Sequence, residues 1–356
     1  MKHVFHVVAL PHAPTTIEHV SCAYTSKVYK FCKMMTRAGH TVHHYGIEDS
    51  DPECASHTDI MSKSEYKEFF PTVDYTKDYY PVQFNDKAPY FDLTNKRANE
   101  AIKAKANPRE FVCILGGWSQ RHIMTGLNLP CVEYGIGYYG VIPSAYWVFE
   151  SYAHMHVVYG QKSKSPDGRF CDAVIPNYFD LNDFTPNYEP GQYFLYMGRL
   201  IYRKGVEIAV EATRRAGVKL LVCGQGEPPK APHVEYVGYA DVKRRDELMR
   251  NAKALLCPTL YVEPFGGVNV EAQICGTPVI CTDWGAFTET VEQGKTGYRC
   301  RLMKEFVNAI RSIEHLDRQY ISDRAIIKYT LPTIAKMYEN YFDRLYIMLY
   351  DGGWNG

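Results

Sequence analysis

Short apolar runs alternate with stretches of helical spacing along most of the chain, the pattern of parallel sheets joined by crossover helices. In the first half, the runs at 3–10, 41–46, 111–117, 130–135, 156–160 and 173–176 read as strands. Residues 22–38 read as an amphipathic helix that stops at Ala38-Gly39. The second half is more regular, with strands expected at 193–197, 218–223, 253–257 and 277–281. Helices are expected at 206–216, 243–252 and 268–275. The first of these sets Val206, Ala209, Val210 and Thr213 on one face and ends at Gly217. A polar, proline-bearing connection from Asp183 to Gly191 divides the chain into units 1–188 and 189–333. Beyond Pro332, Ile334, Met337, Tyr338, Tyr341, Phe342, Leu345, Tyr346 and Leu349 recur at helical spacing. This predicts a helix over 334–356 that packs back on the first unit. Its aromatic face would also suit a peripheral membrane contact.

The stretch 48–95 breaks the alternation. It is rich in Asp, Lys, Tyr and Pro and reads as a long irregular insertion, either a functional loop or surface decoration. Its aromatics Tyr66, Phe69, Phe70, Tyr75, Tyr79 and Tyr80 are candidates for an acceptor site.

Strands of the second half run into Gly198, Gly224, Pro258 or Gly285. Open α/β sheets bind ligands beyond the carboxyl ends of their strands, so these turns and Glu263 should share one rim. The densest chemistry there is Glu263-Pro264-Phe265-Gly266-Gly267-Val268-Asn269-Val270-Glu271. It sets two carboxylates eight positions apart around a glycine pair at an expected helix start. Such a start aims N–H groups and the positive end of the helix dipole at an anion. Two acids beside an anion pocket suit a ligand with one negative group and several hydroxyls, such as a sugar nucleotide. The plainer alternative is a solvated loop Glu and an ordinary first-turn Glu.

Composition sets the limits. At 356 residues and 46% hydrophobic, the chain is long enough for two domains with full cores. Forty Lys+Arg balance forty Asp+Glu, which leaves no broad positive field for a dedicated nucleic-acid binder. The 11 Cys form no C-x-x-C pair, and Cys113, Cys131, Cys223, Cys257 and Cys281 sit in strand-like runs. They read as buried hydrophobes of a reducing compartment, which predicts a cytoplasmic protein. The N-terminal run is too short for a signal peptide, and no apolar run reaches the roughly 20 residues a membrane span needs.

Taken in order, the pieces resemble the retaining glycosyltransferases of the GT-B fold, family 4. They are Ile175-Pro176-Asn177 with Asp180; Gly198-Arg199-Leu200 with Lys204-Gly205; and Cys223-Gly224-Gln225-Gly226. Then follow Glu263-Pro264-Phe265-Gly266 with Glu271-Ala272; Cys275-Gly276-Thr277-Pro278-Val279; and Gly285, Glu289 and Thr296-Gly297. The resemblance spans about 173–300 and is weak before that. It implies two Rossmann-like, doubly wound domains facing across a cleft, with the donor on 189–333 and the acceptor on 1–188. It implies transfer of a hexose-type sugar from a nucleoside diphosphate to a hydroxyl of a glycan, a lipid-linked or a small-molecule acceptor, in carbohydrate biosynthesis. No cofactor and no metal are expected beyond the nucleotide sugar, and no nucleic acid as partner.

By the same resemblance, Arg199 and Lys204 hold the donor diphosphate, Glu271 accepts from the ribose hydroxyls and Glu263 faces the donor sugar. The amides of Phe265, Gly266 and Gly267 border sugar and phosphate. Gly198 and Gly224 are turn residues beside the donor, and Tyr239 approaches the base. The first half departs from the family. The loop after the first strand, Pro11-His12-Ala13-Pro14-Thr15-Thr16, lacks glycine, and Pro130–Tyr138 lacks the family's histidine. Glu133 is then a candidate to face the anomeric centre, with His12, His122, His154 and His156 as other approaches. Asp49-Ser50-Asp51 is similar to the metal-binding triplet of other transferases, but it lies in the irregular insertion with no strand before it. Three further readings stay open: a non-catalytic sugar-nucleotide-binding scaffold, a GT-B isomerase or hydrolase, and glycosylation of modified DNA.

Overall fold

The computed structural model describes residues 1–19, 22–71, 74, 82–162, 167–189 and 191–353. Two parallel sheets organise them. The first contains β1 (Val4–Val8), β2 (Thr41–Ile47), β3 (Ser56–Met61), β4 (Phe111–Ile114), β5 (Cys131–Ile136), β6 (Tyr146–Phe149) and β7 (Ala173–Val174). Its strand order is β3-β2-β1-β4-β5-β6-β7. The second contains β8 (Tyr193–Met197), β9 (Leu220–Cys223), β10 (Val234–Tyr236), β11 (Ala252–Cys257), β12 (Val279–Thr282) and β13 (Gly297–Cys300), in the order β10-β9-β8-β11-β12-β13. Both are Rossmann-like sheets wound outward from a central strand, the α/β GT-B class that the sequence predicts.

The helices of the first half are α1 (Ala23–Arg37), α2 (Lys63–Phe69), α3 (Pro89–Lys105) and α4 (Tyr152–Lys162). Those of the second half are α5 (Val206–Ala216), α6 (Val242–Arg250), α7 (Gly267–Ile274), α8 (Phe287–Thr290), α9 (Met303–Ser312), α10 (Arg318–Tyr329) and α11 (Leu331–Tyr350). Successive strand residues serve opposite faces: Phe5 and Val7 join one core, Val8 another, and Leu220 and Val222 part from Leu221 and Cys223 in the same way. Strands covered on both faces must be apolar throughout, which is why they were readable as short runs.

The chain passes from the first half to the second at Phe179 and returns at Thr330. The crossings lie side by side, with Phe179 N donating to Tyr329 O (2.9 Å) and Leu331 N to Phe179 O (3.1 Å). From there α11 runs back over the first sheet. Ile334, Tyr338, Tyr341, Phe342 and Leu345 are buried there, and the Phe342 ring lies 4.6 Å from Phe5 and 5.0 Å from Phe111. Asp343 accepts from His3 (2.7 Å) at the same seam. The aromatic stripe is thus inside the protein and does not provide the membrane-facing surface suggested for it. Among the described residues no helix is long and apolar enough to cross a membrane.

Several expectations need correction. The segment 156–160, expected as a strand, lies within α4, and the strand before it, β6, was not anticipated. An apolar run of this length fits either element, and here a helix start decides: the Ser151 hydroxyl accepts from His154 N at 3.1 Å. The stretch 48–95 is also not wholly irregular. It holds β3, α2 and the start of α3. The strand was hidden because it is a largely polar edge strand, held by its ladder with β2. A Ser62–Glu65 capping box opens α2. Phe70 is buried against Tyr66 and Tyr90, and the Tyr66 hydroxyl donates to His12 O (3.2 Å). Tyr75, Tyr79 and Tyr80 lie outside the described residues.

Glu133 does not face a cleft. It is fully buried in β5, where its carboxylate accepts from the Ile142 amide and from the Tyr138 hydroxyl (2.7 Å). Alternation decides its place: side chains of a strand covered on both faces point into one core or the other. Burial pushes its carboxyl up to about 7, against the opposing pull of the Ile142 amide and Tyr138.

Two results are expected. Phe342→Ala should cost about 3–5 kcal/mol, because it empties a ring-sized volume between α11 and the sheet. Urea denaturation checks this, and a loss below about 1 kcal/mol would show that α11 contributes little to the core. The second concerns Glu133. Its folded-state pKa is raised, so folding favours its protonated form. That contribution is complete below pH of about 4.5 and is lost as pH rises through about 7. Glu133→Gln should therefore gain in melting temperature relative to the wild type between pH 5 and pH 8. A difference that does not change with pH would contradict this environment for Glu133.

Candidate active site

A cavity of about 760 Å³ opens between the carboxyl edges of the two sheets. From the second half it is lined by Gly198, Arg199, Lys204, Gly224, Tyr239, Glu263, Phe265, Gly266, Gly267 and Glu271. Glu133 is absent from it, as are three of the four histidines considered beside it.

Local backbone geometry explains the gathering. Gly198 and Gly224 follow β8 and β9, and a Cβ on Gly224 would lie 1.9 Å from Gly198 O. The two turns can touch only because residue 224 has no side chain. Gly266 has φ +77° and precedes the first residue of α7. It turns the chain so that the first-turn amides of α7 face the cavity while Glu263 stays beside them. Gly285 does not line the cavity, but its backbone packs against Glu263, where a Cβ would come within 2.7 Å of Glu263 N.

Charge is arranged in pairs. Lys204 Nζ donates to Glu263 Oε2 at 2.8 Å and lies 5.0 Å from the Tyr261 ring centroid. Burial works against the Lys204 charge, but the Glu263 carboxylate and Tyr261 hydroxyl outweigh it and raise the ammonium above its ordinary range. Glu271 is ion-paired with Arg245 of α6. Lys30 of α1 reaches the same region from the first half, with its ammonium 5.2 Å from the Phe179 ring centroid. Burial pulls Lys30 down, opposed by the negative charge of Glu271 and Asp183. Arg199 is exposed at the rim.

The first half adds His12, Cys22, Tyr24, Lys27, Lys30 and Glu150. Of the four histidines considered, only His12 lines the cavity, and its Nε2 lies 3.1 Å from Cys22 Sγ. His122 pairs with Asp86, His154 is buried against Tyr138 O (2.9 Å), and His156 is exposed on α4. In the Asp49-Ser50-Asp51 triplet, Asp49 pairs with Lys63, and Ser50 accepts from Thr15 N (2.9 Å). Among the described residues no group of three or more His, Cys, Asp or Glu is placed to hold a metal ion.

Sequence reading missed Lys27, Lys30, Arg245 and Glu150. The two lysines lie three residues apart on α1 beside its apolar stripe, where charge reads as a solvated helix flank. Arg245 sits in the run Lys243-Arg244-Arg245, and nothing in the sequence singles it out. Glu150 follows a strand that was itself missed. The two halves also meet directly beside the cavity. Ser151 Oγ donates to Pro264 O (2.6 Å), and the amides of Tyr152 and Ala153 donate to Glu289 (3.0 and 2.8 Å).

An anion could be held here by α7, Arg199 and Lys204, with a hydroxyl-rich group between Glu263 and Glu271. Part of the chain is similar to known glycosyltransferases. The family described as "Glycosyl transferases group 1" matches residues 180–330. Glycogen synthase of Mycobacterium tuberculosis (strain ATCC 25618 / H37Rv) is 34% identical over 137 residues, 33% of this chain and 33% of that protein. Phosphatidyl-myo-inositol mannosyltransferase of the same strain is 30% identical over 148 residues, 36% of this chain and 39% of that protein. These matches thus take in little more than a third of either relative. In three dimensions the likeness extends to nearly the whole chain. Sucrose-phosphate synthase from Thermosynechococcus elongatus superposes with a TM-score of 0.70 at 18% identity, over 97% of this chain and 99% of that one. Residues 180–330 are thus similar to the glycosyl transferases group 1 family, and the chain as a whole shares the two-sheet GT-B fold of sucrose-phosphate synthase.

Proposed function

We propose that this enzyme transfers a hexosyl group, with retention, from a nucleoside-diphosphate sugar to a hydroxyl acceptor. The donor occupies the part built by about 189–333. The acceptor enters from 1–188, with the returning C-terminal helix behind it. The observation that carries this reading is the meeting of the α7 N-terminus, Arg199, Lys204, Glu263 and Glu271 in one cavity. Breaking the bond to the anomeric carbon leaves extra negative charge on the diphosphate. Fixed cations and helix amides stabilise that charge as it develops, and the step as proposed needs no metal. Glu271 takes the ribose hydroxyls, and Glu263, steadied by Lys204, takes hydroxyls of the sugar. Tyr239 and Gly224 border the base.

Both curated relatives are named for hexosyl chemistry, one on a glycan and one on a lipid. That supports a glycan or lipid-linked acceptor here, as well as a small-molecule hydroxyl. With a lipid-linked acceptor, a cytoplasmic enzyme would work peripherally at a membrane surface. A scaffold that merely binds sugar nucleotides would have little use for intact ion pairs on every side of the cavity. An isomerase or hydrolase would share the donor site and differ in product.

The test is a thermal-shift and calorimetric screen against UDP, GDP, ADP and their common sugar conjugates, with and without EDTA. One nucleotide family should raise the melting temperature, and chelation should not change it. Glu271→Ala should weaken that nucleotide about tenfold or more, roughly 1.4 kcal/mol. Unchanged affinity in the variant would move the ribose elsewhere, and no response to any nucleotide would refute the reading.

A further inference from the structure

Glu150 follows β6 on the first-half wall of the cavity, next to Pro264 and within reach of the Glu263 charge. Its side chain is 5% exposed and lines the cavity. Lys27 Nζ lies 2.9 Å from Oε1 and donates to Gly135 O at 2.8 Å. Oε1 nonetheless accepts no well-directed hydrogen bond from any described residue. The backbone leaves room for this carboxylate: a Cβ on Gly137 would fall 2.5 Å from Oε2. Residues 151–153 are tied across the interface to Pro264 and Glu289, so the position of Glu150 is fixed relative to the donor half. A buried ion pair is a costly structural device, and an apolar pair of equal volume would often serve stability as well. Its place in the reaction cleft gives it another use.

We propose that Glu150, held by Lys27, meets the acceptor hydroxyl and takes its proton; this rests on the glycosyl-transfer reading above. The acceptor O–H bond breaks and its proton passes to a Glu150 oxygen. The acceptor oxygen forms the new bond to the anomeric carbon with the electron pair so released, on the face from which the diphosphate departs, so that configuration is retained. The bond from that carbon to the diphosphate breaks, its electron pair leaves on the nucleoside diphosphate, and Glu150 then yields its proton to water. Other candidates for the task are placed less well. Glu133 lies in the core, His154 is turned to a carbonyl outside the cavity, and His12 is held by Cys22.

The charged and titratable groups that interact with Glu150 are Lys27 and Tyr24 from α1, Glu263 from the loop after β11, and Tyr178 and Tyr338; His154 from α4 interacts with the same Lys27 and Glu263. Burial raises the Glu150 carboxyl, Lys27 opposes that, and the Glu263 charge adds to the rise. A carboxyl raised in this way is a better proton acceptor near neutral pH.

The experiment uses the whole chain and the nucleotide sugar that raises its melting temperature. It measures nucleoside diphosphate release from pH 5 to pH 9, with water and then a methyl glycoside as acceptor. Glu150→Gln keeps the shape and removes the basicity. It should bind nucleotide within about twofold of wild type, lower kcat by about 100-fold or more, and lose the acidic limb of the rate profile. A kcat within threefold and an unchanged acidic limb would overturn the proposal. So would a rate loss matched by lost nucleotide affinity, which would make Glu150 a donor-binding residue. If Glu150→Gln fails to fold, Lys27→Met replaces it: the acidic limb should move to higher pH, and an unmoved limb overturns the proposal. Absence of release by the wild type refutes glycosyl transfer itself, an outcome distinct from failure of the variant.

Discussion

Every strand pairing between the named strands of both sheets is parallel, and the position of the site follows from that constraint. Parallel strands need long crossovers, so all strands of a sheet end on one edge and the loops there converge. Two such edges facing each other form a cleft whose walls are loops and helix starts. The residues that line this cleft therefore come from loops and helix starts. Glu263 and Gly266 stand between β11 and α7, Gly267 opens α7, and Glu150 stands between β6 and α4. The side-by-side crossings at Phe179 and Thr330 join the halves, and residues 151–153 tie them again beside the cavity.

Within the cleft, charge is handled in pairs. Lys204 holds Glu263, Arg245 holds Glu271, and Lys27 holds Glu150. Removing one member of a buried pair strands the other, typically at about 3–5 kcal/mol, so these pairs fix side-chain positions before any substrate arrives. A site of fixed dipoles and charges has little reorganisation left to undergo when charge develops on a leaving group.

Much of this was legible in the sequence, and the reasons are specific. Strands buried on both faces must be apolar throughout, so β8, β9, β11 and β12 read as short hydrophobic runs. The tight turns after β8 and β9 required Gly198 and Gly224. The turn into α7 required Gly266, which marked Glu263 and Glu271 as neighbours. What was hidden depended on partners distant in sequence. β3 is polar because it needs only the β2 ladder, and α4 resembled a strand because its cap, Ser151, is a single residue. Glu133 read as a cleft residue because it lies in the stretch where the family carries its histidine, but the face of β5 that it occupies was not visible. Lys27, Lys30 and Arg245 look like ordinary helix-flank charges until the two halves are brought together.

The account rests on a single donor site at the start of α7. A crystal structure with the preferred nucleoside diphosphate bound tests it most directly. The diphosphate is expected within hydrogen-bond distance of the α7 amides, Arg199 and Lys204, with the ribose hydroxyls on Glu271. A nucleotide bound outside this cleft, or one lying here with its ribose turned away from Glu271, would contradict the account.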